Sequence, residues 1–178
     1  MQNSSKFQQN NYRDTGLERV VNRIYQVIER DELVIDTTEK LRDFLQVDRV
    51  VLYYFYDKWH GQVTFESLDD DKYSILGSTG PDKCFNDEYA ALYIAGRTRA
   101  IADIEKESIE ECHRDFLRSL QVRANLAVPI LLPEQNLWGL LIAHHCQAPR
   151  IWLQTDIEVM QEGAKSLGNC PSIKDVSK

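Results

Sequence analysis

The sequence predicts an α+β fold, a central and mostly antiparallel β-sheet with helices packed on its faces. Three observations lead there. Helical periodicity marks both ends of the folded region, and the strand-like runs are concentrated between them. The last two such runs, Val122 to Ile130 and Leu137 to His144, are separated by a short turn at Pro133 to Asn136, so they can form a hairpin. At 178 residues the chain lies in the single-domain range and is long enough to enclose a core plus one buried ligand.

Taken in order, residues 1 to 14 are polar and Gln/Asn-rich and are expected to form a flexible tail. Thr15-Gly16-Leu17-Glu18 matches a capping box opening a helix with apolar positions Leu17, Val20, Val21, Ile24, Val27 and Ile28. A second helix, Leu33 to Leu45, places Val34, Thr38, Leu41 and Leu45 on one face. Val47 to Tyr56 is β-branched and aromatic with almost no polar interruption, which fits a strand buried on both faces. Lys58 to Gly61 reads as a turn into a further strand near Gln62 to Ser67. Residues 68 to 83 carry Asp69-Asp70-Asp71, Gly77, Gly80 and Pro81, an irregular excursion of the kind that often holds function. A short helix is expected from Asn86 to Ala95, ended by Gly96. Ser108-Ile109-Glu110-Glu111 is a second capping box, predicting a helix from Ile109 to about Leu120. In the next strand Val122, Ala124, Leu126, Val128 and Ile130 alternate with Arg123, Asn125, Ala127 and Pro129, so one face is unusual. Thr155-Asp156-Ile157-Glu158 is a third box, and Ile157, Met160, Ala164 and Leu167 give the last helix its stripe. No repeat or linker interrupts residues 15 to 168, and 169 to 178 are expected to be a second flexible tail.

Composition narrows the partners. Hydrophobic residues make up 43% and charged residues 28%, ordinary for a globular chain and unlike a disordered one. A formal charge of -7, with no Lys/Arg cluster able to track phosphates, argues against nucleic acid and anionic membrane. The longest apolar runs, such as Val50 to Tyr56 and Leu137 to Ala143, fall well short of the ~20 residues a membrane helix needs. The amino terminus lacks the apolar core of a signal peptide, so a cytoplasmic location is expected. The four cysteines, Cys84, Cys112, Cys146 and Cys170, include no C-x-x-C pair and read as thiols with individual roles, not as a disulfide framework or a zinc site.

Of these thiols, Cys112 falls in the first turns of the helix that Ser108 would cap. There the positive end of the helix dipole favours a thiolate. Helical spacing puts Cys112 with Ile109 and Phe116, and His113 with Ile109, Phe116, Leu117 and Leu120, so both side chains can line an apolar cavity. The dipeptide by itself reads first as a buried cysteine beside a satisfied histidine. Cys84 lies in the turn-prone stretch Gly80-Pro81-Asp82-Lys83-Cys84-Phe85, and local evidence alone makes it no more than a partly exposed loop thiol. His144, His145 and Cys146 are adjacent, and alternation along a strand keeps them from converging on one metal ion.

The run Cys112-His113-Arg114-Asp115-Phe116-Leu117, followed by Val122 to Ile130 and by Leu137-Trp138-Gly139-Leu140-Leu141-Ile142-Ala143-His144, closely resembles the GAF domain of cyanobacteriochromes, the phytochrome-related photoreceptors. The resemblance continues through Pro149-Arg150 and Trp152 and covers roughly residues 17 to 168. Asp82-Lys83-Cys84-Phe85 resembles the Asp-Xaa-Cys-Phe motif of the two-cysteine branch, with Lys83 where proline is common and His145 where glutamine is frequent. A GAF-type sheet with helices on its faces is therefore expected.

The resemblance implies a photosensory domain without turnover that holds a linear tetrapyrrole, phycocyanobilin or phycoviolobilin. Cys112 would form a thioether to the A-ring ethylidene group. His113 would pack against the bilin, Asp82 would accept its pyrrole N–H bonds within the Asp82 to Phe85 motif, and Arg97 and Arg123 are candidates for its propionates. Arg123 fits a surface ion pair as an alternative, and His144 fits either a place near the D ring or a structural role. Cys84 would add reversibly to the central methine carbon, giving a blue-type state and a longer-wavelength green or teal state coupled to Z/E isomerisation. GAF domains also bind cyclic nucleotides, and some are thiol-dependent methionine sulfoxide reductases, which are the alternatives. No kinase, cyclase or methyl-accepting sequence follows residue 168, so an output domain is expected elsewhere, and the apolar stripes of the first and last helices could support a homodimer.

Overall fold

A computed structural model describes residues 4–57, 60–80 and 87–175. Five strands form one sheet in the order β2-β1-β5-β4-β3, with every pairing antiparallel. They are β1 (Arg49–Asp57), β2 (His60–Leu68), β3 (Arg99–Ile101), β4 (Ala124–Leu131) and β5 (Leu137–His145). Among the described residues six α-helices accompany them: α1 (Ser4–Ile28), α2 (Glu32–Leu45), α3 (Asp87–Ile94), α4 (Glu111–Ser119), α5 (Gln154–Gly168) and α6 (Pro171–Lys174). The α+β expectation holds. No helix among the described residues is long and apolar enough to cross a membrane.

The strand period of two divides the sheet into faces with different tasks. Val50 and Leu52 of β1, Leu141 and Ala143 of β5, and Leu126, Val128 and Ile130 of β4 point to one face. There they meet Ile24 and Ile28 of α1, Val34, Leu41 and Leu45 of α2, and Met160, Ala164 and Leu167 of α5 in one core. Each fully buried Leu or Ile contributes about 1.5–3 kcal/mol. The predicted stripe of α2 is buried as expected, including Thr38, whose hydroxyl donates to the Val34 carbonyl at 2.9 Å. Asp31 caps that helix, accepting from the Leu33 and Val34 N–H groups.

Helix boundaries differ from the capping-box expectations. Helix α1 passes through Thr15 without a start there and begins at Ser4, so part of the expected tail is helical. With no proline in the way, extending a nucleated helix costs far less than starting one. Helix α4 starts at Glu111, capped by Glu110 without a side-chain bond, and not at Ser108. The guanidinium of Arg114 explains the shift: it donates to the carbonyls of Ile104, Glu107 and Ile109, holding that segment outside the helix. For α5, Leu153 takes the cap position, and it is Asp156 that reaches back to the Leu153 N–H at 2.9 Å. The carboxyl end also departs from a tail, because Ile173 of α6 is fully buried.

Two close contacts fix the sheet and its flank. Gly139 lies so near β1 that a Cβ would sit 2.0 Å from the Tyr53 carbonyl oxygen. Arg150 stacks on Trp152 at 4.6 Å and donates to the Leu45 carbonyl, while the Trp152 indole donates to the Ile101 carbonyl. That pair ties the approach to α5 onto α2 and the edge strand β3.

Candidate functional site

The opposite face of the sheet is not filled by helices in the same way. Val51, Tyr53 and Phe55 of β1, Leu140, Ile142 and His144 of β5, and Asn125 and Ala127 of β4 form the floor of a cleft. Helix α4 roofs it with His113, Phe116 and Leu117, and Leu120 follows at its end. Tyr93 of α3, Arg99 of β3 and the segment around Ser78 and Gly80 close the sides. The cleft holds about 860 Å³ of space between atoms, part of it open to solvent. Its apolar walls with a few polar groups suit a small organic ligand.

The face predicted for His113 is the roof of this cleft, Ile109 excepted, which packs instead against Ile101, Ile104, Leu117 and Val122. Burial, and then the nearby Arg99 cation, lower the His113 pKa, favouring the neutral imidazole. Cys112 is exposed at the second position of α4, one residue before that histidine, so it stands at the amino end of the roof and not in the cavity wall. Against the expectation of separate thiols, Cys112 is disulfide-bonded, which the cysteine spacings gave no sign of. Asp82, Cys84 and Phe85 lie outside the described residues.

His144 is buried in the cleft floor. Its Nδ1 accepts a hydrogen bond from Nε of Arg49 at 2.9 Å, and burial, then the Arg49 charge, keep its pKa well below the usual 6.5. His145 points the other way, as strand alternation requires, with Nδ1 2.7 Å from the Ala148 carbonyl oxygen. Arg123 binds Asp103 through Nε at 2.9 Å and Nη2 at 3.2 Å, the ion-pair alternative, and is not part of the cleft wall. Arg97 is half-buried just after Gly96 and is likewise not in the wall, whereas Arg99 is, and it pairs with Glu107 at 3.1 Å. The sequence reading missed Arg99, whose three-residue strand is too short to show a period. It also missed Arg49, although a lone arginine in an otherwise apolar strand was a visible signal. Cys146 is half-buried, with its thiol pushed up to about 11 by burial, and Cys170 is buried beside Asp31, so neither thiol has the environment of a nucleophile.

The family profile of the GAF domain matches residues 29–170. The chain is a GAF domain. It is 46% identical over 162 residues to an uncharacterized protein of Picosynechococcus sp. (strain PCC 7002), covering 91% of this chain and 99% of that protein. Two longer Synechocystis relatives are 35% and 32% identical, but the chain spans only 15% and 22% of their lengths. Among solved structures, the blue-light absorbing form of the Thermosynechococcus elongatus PixJ GAF domain superposes with a TM-score of 0.68 at 33% identity, covering 84% of this chain and 87% of that one. The phycocyanobilin-bound GAF domain from a cyanobacterial phytochrome superposes with a TM-score of 0.67 at 27% identity, covering 85% of this chain and 91% of that one. The cleft of this GAF domain thus lies in a scaffold shared with light receptors.

Proposed function

We propose that this GAF domain is a photosensory module that covalently holds a linear tetrapyrrole, phycocyanobilin or its isomer phycoviolobilin. The observation that carries the reading is the apolar cleft roofed by α4, with Cys112 one residue before the histidine that enters it. Its walls are mainly apolar, and Arg99 offers a cation for a propionate. When bound, the bilin supplies the conjugated system that absorbs light and the double bond that light isomerises.

The residues divide the remaining work. Cys112 forms the permanent thioether to the A-ring ethylidene group, aided by the amino end of α4, which favours its thiolate. His113 packs on the pigment, Asp82 accepts pyrrole N–H bonds beside Phe85, and His144 lies towards the D ring. Cys84 makes and breaks a second bond at the central methine carbon, interrupting conjugation in a blue-type state and restoring it in a green or teal one. Arg99 joins Arg97 and Arg123 as a candidate cation for the propionates, and it is the one of the three that lines the cleft. Because the attacking species is the thiolate, attachment requires Cys112 in reduced form.

Expression in cells that make phycocyanobilin tests this. A coloured chain that fluoresces with zinc on a denaturing gel is expected, with Cys112→Ala losing the fluorescent band. Cys84→Ala is expected to keep the pigment but lose the short-wavelength state. A colourless wild-type chain would overturn the bilin reading, and a blue-type state surviving in Cys84→Ala would overturn the two-bond cycle alone.

A further inference from the structure

The segment between β3 and α4 carries acidic side chains at positions 103, 105 and 107, and each answers a different arginine. Asp103 pairs with Arg123 at 2.9 Å, Glu105 with Arg118 at 2.6 Å, and Glu107 with Arg99 at 3.1 Å. Arg118 and Arg123 stand outside the cleft wall, whereas Arg99 is part of it. Glu107 does not line the cleft, so its carboxylate meets the Arg99 guanidinium from outside the cavity. Its backbone is tied in place. The Glu107 N–H donates to the Asp103 carbonyl at 3.0 Å, and the Glu107 carbonyl accepts from the Ile109 N–H at 3.0 Å and from Nη2 of Arg114 at 3.2 Å. The counter-charge is therefore built into the fold and does not depend on a mobile loop.

A guanidinium offers five N–H donors along a planar fork. Among the described residues Arg99 uses one of them, on Nη2, for Glu107. The two Nη2 hydrogens belong to different two-donor edges of the fork, so a single bond from Nη2 leaves the other edge whole for a second carboxylate. The seat is thus open in geometry and neutral in charge. An arginine without a counter-ion would attract any anion into the cleft. Beside Glu107, an entering carboxylate gains hydrogen bonds from the free edge but meets an opposing negative charge close by.

We propose that Glu107 is a positioning residue that holds Arg99 by one N–H and cancels its charge, so that the cleft takes a ligand carboxylate weakly and only with an apolar body attached to it. The apolar walls supply the remaining affinity, which makes the body of the ligand and not its charge the main requirement for entry. That the carboxylate is a bilin propionate rests on the bilin reading; the rule about charge does not. Gln at position 107 keeps an oxygen that can accept from Nη2 and removes only the charge.

The experiment has two arms on the full chain. In the first, pyrenebutyrate, an apolar body with one carboxylate, and the uncharged pyrenebutanol are titrated by fluorescence against the pigment-free protein. Glu107→Gln is expected to bind the acid about tenfold more tightly than wild type and the alcohol equally well. A gain shared by both probes marks a merely loosened cleft and overturns the proposal. So does an unchanged or weaker affinity for the acid, or an acid that binds neither chain. A wild-type preference for the acid over the alcohol of about tenfold or more overturns it whether or not Glu107→Gln folds. In the second arm, phycocyanobilin and its dimethyl ester are added to the reduced chains. Faster attachment of the free acid to Glu107→Gln than to wild type is expected, with the ester attaching at the same rate to both. Equal rates for the free acid overturn the action of Glu107 on a propionate. If the wild type takes up no phycocyanobilin, the bilin reading fails while the rule about charge stands or falls on the first arm.

Discussion

His113 and His144 both lose proton affinity to burial in one cleft, and this gives the domain a pH signature. An unfolded chain protonates its histidines near 6.5, whereas the folded state resists to lower pH. Below about pH 6.5 the unfolded state therefore binds more protons, so the stabilising contribution is complete above that value and is lost as pH falls towards the depressed folded values. The urea midpoint is expected to drop between pH 7.5 and 5, and His144→Gln is expected to flatten that slope even if it lowers the midpoint overall. The same scale separates the arginines. Arg123 is committed to Asp103 outside the cleft, so Arg123→Ala should leave bilin content unchanged, while Arg99→Ala should lower it; pigment absorbance per protein after expression checks both. Residue identity alone could not make this distinction, because it depends on strand β3 aiming residue 99 inward. The reading of His113 succeeded with Phe116 and Leu117 because residues three and four apart on one helix share a face whatever lies opposite, while Ile109, ahead of the helix start, fell outside it.

At the scale of the element, helix α4 starts on Glu110, which contributes no side-chain cap. Its extended backbone, φ -59 and ψ 142, suits serine there. Glu110→Ser should therefore add about 0.5–2 kcal/mol by supplying the missing cap, and removing a negative charge near Cys112 should speed bilin attachment. Thermal melts and the rate of colour formation report the two effects separately. Helix faces were legible in the sequence and helix starts were not. The buried stripe of α2 follows from spacing alone, but the start of α4 is set by Arg114 gripping three carbonyls, a contact no local pattern encodes. Strands fared similarly: the hairpin of β4 and β5 was visible from its turn, while β3 is a short edge defined only by its partner.

Across the whole molecule, one sheet serves a helical core on one side and the cleft on the other, so neighbouring residues of β5 should fail in different ways. Leu141→Ala opens the helical core and should cost about 2–5 kcal/mol with the absorption spectrum unmoved. Ile142→Ala faces the cleft, so it should cost less and shift the spectrum; denaturant unfolding and absorption on the same samples decide. Central pairing also has a consequence in time. The residues joined as Arg49 and His144 are 95 positions apart, and β1 finds its inner neighbour only when the last strand arrives. Closing so long a loop is slow compared with folding the local hairpins. During synthesis the cleft therefore has no complete floor until residue 144 has emerged, and the residues before β5 must wait, folded in parts, without a finished site to grasp a ligand.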